Sequence, residues 1–487
     1  MNKEALPYLN SLYYLLTNIS NLEVTSEDAS MRIDLSKRLV DLMLVQNKVS
    51  ASLADECLKK LPDISLKLEK VLPKSKKNKL LLLELKKICG DCGIDIYKKF
   101  LEISGNIQRE LIQVNSTKAK NLSKTLFRIE TNYCQQLFQA ISDQNNITNL
   151  NNVTSSARNI QTFNKQDMVN FIQDQFPIET EVMIENTTFV TGGYSKYTAD
   201  ISLSKTKSLP KNIILRGDAG GGFGGMSVVD EHDLITTVFQ NGVCSPKPLA
   251  LDKNDTVFGS PFMLMEKMPG TCIGHMFNIP PIKSDSLVKD IAKKLSSIHL
   301  IPLKKFNKVI DGTSCLSSDK ALSWLSTSEN SWVELDLPSQ VFSTAFEWLR
   351  NNAKVYDNGP RSLVHGDYGI NNLLIEDNSV TGILDWEHAH IGNPSYDLGY
   401  FHPMADALAS WSIFLDAYAN TGAPMPDEDQ INYSILLGAT RVGVMVCQVR
   451  SAFLNNQETG IAASIGVAGD YYDIAVIRIS NALEKVL

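Results

Sequence analysis

At 487 residues the chain is too long for one ordinary domain, and dividing by ~150 residues per domain predicts about three units. Hydrophobic residues at 43% and charged residues at 21% are those of a globular chain with sizeable cores. The 47 basic and 54 acidic residues leave a net charge of −7, so no general electrostatic attraction to nucleic acid or an anionic membrane is expected. No apolar stretch reaches the ~18 residues of a spanning helix, and the start MNKEALPYLN lacks a basic segment followed by an unbroken apolar run. The expected location is cytoplasmic, with no nucleic-acid and no membrane partner.

Residues 1–141 read as a helical domain of unassigned role. Ser26, followed by Glu27 and Asp28, suits a helix start, and Leu35, Leu39, Leu42 and Val49 fall on one helical stripe. Pro62 and Pro73 punctuate, and a further helix is expected from Leu80 to Ile88. The run Lys74, Lys76, Lys77 and Lys79 reads as a solvated turn between helices. Apolar spacing continues through Ile107, Leu111, Leu122, Phe127, Cys134 and Leu137. The eight cysteines are scattered, and Cys89 and Cys92 form the one close pair; without a second CxxC or a histidine pair, helix-end positions beside Gly90 and Gly93 are expected. The sequence leaves open a protein partner or oligomerisation through this domain. Ser142 to Asn159, dense in Asn, Ser and Thr, lacks the material for a core, and residues 142–163 read as a polar linker.

Residues 164–270 read as a β-rich segment. Asn164 caps a helix with Met168, Phe171 and Ile172 on one face. Gly192 and Gly193, followed by Ser195 and Lys196 and flanked by β-formers, make a turn whose backbone amides can approach phosphate oxygens. Asn212 to Arg216 reads as a strand ending in a cation, and Glu231, at the start of a helix from Asp230 to Phe239, suits an ion-pair partner for Arg216. The glycine-dense run Asp218 to Gly225 has no following Gly-Lys-Ser/Thr, so it reads as a connector or lid over the nucleotide site rather than a P-loop.

From Thr271 to Leu487 the chain is expected to be mostly helical, with helices at Ser286–His299, Ser343–Asn351, Asp406–Thr421, Asn432–Asn455 and Gly466–Leu487. His299 reads as structural. Within this part lies LVHGDYGINNLLIEDNSVTGILDWEHAHIGNPSYDLGYF, residues 363–401. Two apolar runs, Asn372 to Ile375 and Val380 to Leu384, are separated by Glu376, Asp377 and Asn378, the pattern of a hairpin of short strands. Asp367 and Asn372 precede the first run and Asp385 follows the second, so the hairpin holds all three at one end. That set suits phosphoryl transfer from a magnesium nucleotide: a carboxylate to orient the attacking hydroxyl, and hard oxygen ligands for the metal. His388 and His390 lack a nearby third ligand and read as structural.

His365-Gly366-Asp367 with Asn372-Leu373-Leu374, then Ile383 to Glu387, Gly392-Asn393-Pro394 and Asp397-Leu398-Gly399, resembles the aminoglycoside phosphotransferase and choline kinase-like family. The second half is most similar to the phosphotransferase domains found with acyl-CoA dehydrogenases. The resemblance implies a bilobal, protein kinase-like α+β fold, with a β-rich lobe over 164–270 and a helical catalytic lobe over 271–487, preceded by the extra helical domain. It implies Asp367 as catalytic base, Asn372 and Asp385 as Mg²⁺ ligands, and Asp397 as a brace of the catalytic loop. Gly192, Gly193 and Ser195 match the family's nucleotide loop, with Lys196 where Asn is common. Arg216 paired with Glu231 would fix the donor phosphates, and the hinge, with Glu266 and Met268, would read the base of ATP or GTP.

The expected function is therefore Mg²⁺-dependent transfer of phosphate from ATP or GTP to a hydroxyl of a small molecule. The family's C-terminal helices form the acceptor pocket, and the apolar character of Leu436–Val446 and Ile461–Ala468, with few carboxylates, favours a neutral or anionic acceptor over a polycation. Two alternatives stand beside this: a nucleotide-binding regulatory protein acting through its N-terminal domain, and a transferase of phosphate or nucleotide to a protein.

Overall fold

The computed structural model describes residues 40, 48–144, 164–190, 196–218, 225–253, 257, 260–274, 279, 282–306, 318–454 and 471–487. The expected helix start at Ser26 and nearly all of its following stripe, the linker beyond residue 144 and the segment 461–468 lie outside these. In chain order the helices are α1 (Leu61–Val71), α2 (Lys76–Lys87), α3 (Ile94–Val114), α4 (Thr117–Gln144) and α5 (Lys165–Gln175). Then come β1 (Met183–Val190), β2 (Lys196–Ser204), β3 (Asn212–Asp218), α6 (Val228–Gln240), β4 (Pro248–Asp252), β5 (Phe262–Glu266) and α7 (Asp285–His299). The rest comprises α8 (Ser318–Glu334), α9 (Gln340–Asn352), β6 (Ser362–Val364), β7 (Leu373–Glu376), β8 (Ser379–Ile383), β9 (His390–Gly392), α10 (Ser395–Leu408), α11 (Trp411–Ala419), α12 (Glu428–Leu454) and α13 (Tyr471–Val486). The chain is thus all helical over 48–144, carries a sheet, and is mainly helical after it.

Two compact units divide these elements. The described residues of 1–153, 317–357 and 428–487 form the first, and those of 154–316 and 358–427 the second. The first unit is all α. Its N-terminal core is built from stripes such as Leu61, Ile64 and Leu68 on α1 and Phe100, Ile103, Ile107 and Leu111 on α3, the spacing that puts apolar side chains on one helical face. The helix expected from Leu80 starts earlier, at Lys76, because Ser75 accepts a hydrogen bond from the Asn78 amide and so caps it. Lys76, Lys77 and Lys79 are helical rather than in a turn; Lys77 remains solvated, pairing with Glu110. The expected helix Asp406–Thr421 is two: α10 ends at Leu408, and the Ser410 hydroxyl caps α11 by accepting from the Ile413 amide.

A buried carboxylate closes one helix end in this unit. Glu130 of α4 accepts hydrogen bonds from the Ser339 hydroxyl, the N-cap of α9, at 2.6 Å and from the Val341 amide at 3.0 Å. The free amides of a helix N-terminus favour such an acceptor. Burial nevertheless outweighs these bonds and raises its pKa from 4.5 to about 7. Across that window the folded chain keeps a proton that the unfolded chain has lost, so stability is full at lower pH and falls as pH rises through about 7. The loss amounts to about 3 kcal/mol. Melting temperature is expected to drop by several degrees between pH 5 and pH 8, and Glu130→Gln, which keeps an acceptor without the charge, to remove most of that drop. Asp473, raised to about 6 by burial, supplies the remainder. Identical melting of both proteins at pH 8 would contradict the account.

The second unit carries a five-stranded antiparallel sheet in the order β1-β2-β3-β5-β4. Asn164 caps α5 through the Gln166 amide, and Met168, Phe171 and Ile172 join Ala199, Ile201, Leu215, Phe262 and Leu264 in one core. Along β3, Ile213, Leu215 and Gly217 are buried, and alternation sends Arg216 to the other face. Two short ladders, β7 with β8 and β6 with β9, complete the unit's strands among the described residues.

Candidate active site

The β7–β8 hairpin is closed by Asp377 and Asn378, at φ 49° and 59°. Positive φ at both central residues is the turn whose twist matches paired strands, and Asp and Asn tolerate it. Leu373 pairs with Ile383, and the Leu384 amide donates to the Asn372 carbonyl at 2.8 Å. Asn372 and the residue before Asp385 therefore face each other at the open end. Asp385 itself has φ 66°, turning the chain out of the strand.

The loop bearing Asp367 is anchored to that open end. His365 is fully buried; its Nε2–H donates to the Leu384 carbonyl at 3.0 Å while its Nδ1 accepts from the Asp367 amide at 3.2 Å. One imidazole thus ties Asp367 to the residue preceding Asp385. Gly366, at φ 83°, packs so tightly that a Cβ there would lie 2.3 Å from the His388 carbonyl oxygen, so no other residue fits. Below the loop, Asp397 of α10 accepts from the amides of His365 at 2.7 Å and Gly366 at 2.9 Å and from His299 Nε2 at 3.1 Å. Burial opposes its charge, but the His299 bond and the neighbouring histidines outweigh it and hold the carboxyl below its ordinary pKa.

The Asp367 carboxylate is itself engaged. The Asn372 Nδ2 donates to Oδ2 at 2.9 Å and to the Asp367 carbonyl at 2.9 Å, and the Tyr400 hydroxyl donates to Oδ1. Because carboxylate and carbonyl oxygens accept only, Asn372 must present its NH₂ to them. Its Oδ1 is left as the atom for another partner.

Arg216 bridges the sheet and the hairpin end. Its Nε–H donates to Glu231 Oε2 at 2.9 Å and a terminal NH₂ to Asp385 Oδ1 at 2.5 Å. Glu231 lies in the first turn of α6, capped by Ser227, and is fully buried; its second oxygen accepts from the Trp386 amide at 3.2 Å. Burial disfavours the guanidinium charge, yet Glu231 and Asp385 outweigh it and raise the pKa of Arg216. Burial raises that of Glu231 despite Arg216.

Lys196 has a role that its sequence position did not disclose. Buried at the start of β2, its Nζ donates to Asp218 Oδ1 and to the Met226 carbonyl, each at 2.6 Å, and lies 3.6 Å from Glu387. One ammonium thereby holds both ends of the glycine run together. Lys196→Met leaves a carboxylate and a carbonyl without their donor and is expected to cost about 2–4 kcal/mol in chemical denaturation; an unchanged midpoint would sink this. Arg216 and Lys196 meet four carboxylates, Asp218, Glu231, Asp385 and Glu387.

The remaining expected site residues fall into two groups. Glu266 ends β5 and pairs with Lys247 at 3.2 Å; Met268 follows, in a segment that runs on to pair Thr271 with Ile375 of β7. A Cβ built on Gly382 of β8 would lie 3.3 Å from the Met268 Cβ, so this segment rests on the hairpin. Gly192, Gly193 and Ser195, and residues 219–224 of the glycine run, lie outside the described residues. No group of three or more His, Cys, Asp or Glu residues that could hold a metal is present among the described residues. Magnesium, which keeps waters and substrate phosphates as ligands, needs only one or two protein oxygens. Asn372 Oδ1 and Asp385 could supply such oxygens. His299 belongs to Asp397, and His390 Nδ1 donates to the His388 carbonyl.

Residues 226–431 match the phosphotransferase enzyme family. The matched segment contains Glu231, Asp367, Asn372, Asp385 and Asp397. Acyl-CoA dehydrogenase family member 11 of Pongo abelii is 25% identical over 207 residues, covering 41% of this chain and 26% of that protein. A probable acyl-CoA dehydrogenase of Arabidopsis thaliana is 26% identical over 252 residues, covering 48% of this chain and 30% of that protein. The chain thus spans under a third of the length of these curated relatives. Among solved structures, a putative aminoglycoside phosphotransferase from Ralstonia eutropha superposes with a TM-score of 0.51 at 16% identity, over 66% of this chain and 99% of that one. The likeness is of fold alone, and it is the kinase-like fold that the resemblance implied.

Proposed function

We propose that the chain is a phosphotransferase that moves the γ-phosphate of ATP or GTP, with magnesium, to a hydroxyl group of a small molecule. The observation that carries this reading is the convergence of Asp367, Asn372 and Asp385 at the open end of one hairpin, with Arg216 bonded to Asp385. Phosphoryl transfer asks little covalent chemistry of a protein and much positioning and charge stabilisation.

Asp367 takes the hydrogen bond of the acceptor hydroxyl. As the new O–P bond forms, the bond from the γ-phosphorus to the bridging oxygen breaks, the nucleoside diphosphate leaves, and the hydroxyl proton passes to Asp367. Asn372 Oδ1 and Asp385 would hold magnesium, which supplies positive charge to the phosphate oxygens. Arg216, fixed by Glu231, faces the donor phosphates through the guanidinium donors that neither carboxylate uses. The amides of Gly192, Gly193 and Ser195 would receive further phosphate oxygens, and the backbone of the Glu266–Met268 segment the base. The phosphotransferase family match supports the reaction class.

The test is a screen of purified protein with Mg·ATP and Mg·GTP against hydroxyl-bearing metabolites and antibiotics. A chelator-sensitive consumption of nucleotide, with one phosphoryl group added to an acceptor by mass, is the expected result. Consumption that persists in excess chelator, or none across the panel, rejects the proposal.

A further inference from the structure

Helix α10 reaches the candidate base twice. Asp397 in its first turn holds the backbone of the loop, and Tyr400, three residues on and so on the same helical face, donates its hydroxyl to Asp367 Oδ1. Tyr400 is only 7% exposed, so its ring is packed on most of its surface apart from the hydrogen bond. With Asn372 on Oδ2, each carboxylate oxygen has one donor and one lone pair to spare. The terminal torsion of an aspartate is broad and roughly two-fold, so a carboxylate held through one oxygen swings, whereas one held through both is fixed.

We propose that Tyr400 is a positioning residue for the phosphotransfer step, fixing the rotation of the Asp367 carboxylate so that a free lone pair meets the acceptor hydroxyl. The inference rests on the phosphotransferase reading above. Tyr400 does not exchange a proton with the acceptor; it acts through Asp367. Its effect therefore falls on the reaction step and not on nucleotide capture, which uses the sheet and Arg216.

The experiment compares the full chain with Tyr400→Phe and Asp367→Asn, reading Mg·ATP turnover with water as acceptor, Mg·ATP affinity by calorimetry, and thermal melting. Tyr400→Phe keeps the ring and its packing. The expected result is a fall in kcat of about 10–100-fold, the cost of losing alignment at a reacting group, with KM and affinity for Mg·ATP within about twofold. A kcat within twofold of the unaltered chain overturns the inference, as does a loss of affinity that tracks the loss of rate. If Asp367→Asn is inactive while Tyr400→Phe is fully active, the Tyr400 inference alone fails. Should Asp367→Asn turn over normally, or the unaltered chain consume no nucleotide with water or with any acceptor of the panel, the phosphotransferase reading fails and this inference with it.

Discussion

Asp367→Asn is expected to lower turnover by about 10²–10⁴-fold, the range lost when a positioned general base is removed, while nucleotide affinity changes little. Asparagine retains the shape of the side chain but cannot take a proton. It also presents an NH₂ that cannot satisfy both neighbours: Tyr400 and Asn372 each donate to this side chain, and an amide offers them a single acceptor oxygen. Asp367→Ala avoids that conflict and should be equally inactive. Steady-state rates with calorimetric nucleotide binding check the prediction; wild-type rates in either variant would exclude Asp367 from the reaction.

Asp397→Ala is expected to destabilise the second unit by about 3–5 kcal/mol, since each buried donor left without an acceptor costs about 1–3 kcal/mol. It strips three donors of their acceptor at once: the amides of His365 and Gly366 and the Nε2–H of His299, all buried. For a unit of this size that corresponds to roughly 10 °C in melting temperature. The depressed pKa adds a sign to the pH dependence. The stabilisation is complete above the ordinary carboxylate range and is lost on acidification, as pH falls through the lower folded-state value. Calorimetry between pH 7 and pH 3 checks both parts, and a variant that melts with the unaltered chain at pH 7 would refute them.

Glu130 and Asp397 show why burial alone predicts neither sign. Both are buried carboxylates, yet Glu130 faces only hydroxyls and amides and rises to about 7, whereas Asp397 also faces His299 and falls. The resulting pH slopes oppose each other and lie in different windows, so they separate in a single titration of stability.

What was legible in the sequence was local or carried by linked motifs. The hairpin showed in two apolar runs around Asp377 and Asn378, because turn residues and apolar runs act over a few positions. The cap at Asn164 obeys the same local chemistry. Ser75 and Ser410, equally local, went unread, and with them the start of α2 and the break between α10 and α11. Helix periodicity also failed to separate α10 from α11, since apolar spacing continues across a break that one cap decides.

By itself the sequence determined a helical N-terminal region, a β-rich segment, the hairpin of residues 373–383 and, over residues 226–431, a match to the phosphotransferase enzyme family. Only the tertiary structure decided that Lys196 joins Asp218 to Met226, that Arg216 reaches Asp385 across 169 positions, and that Tyr400 meets Asp367. The physical reason is that a periodic pattern records which face of an element is apolar. It carries no record of which distant polar atom a buried charge will find once those faces have closed, and burial makes finding one obligatory.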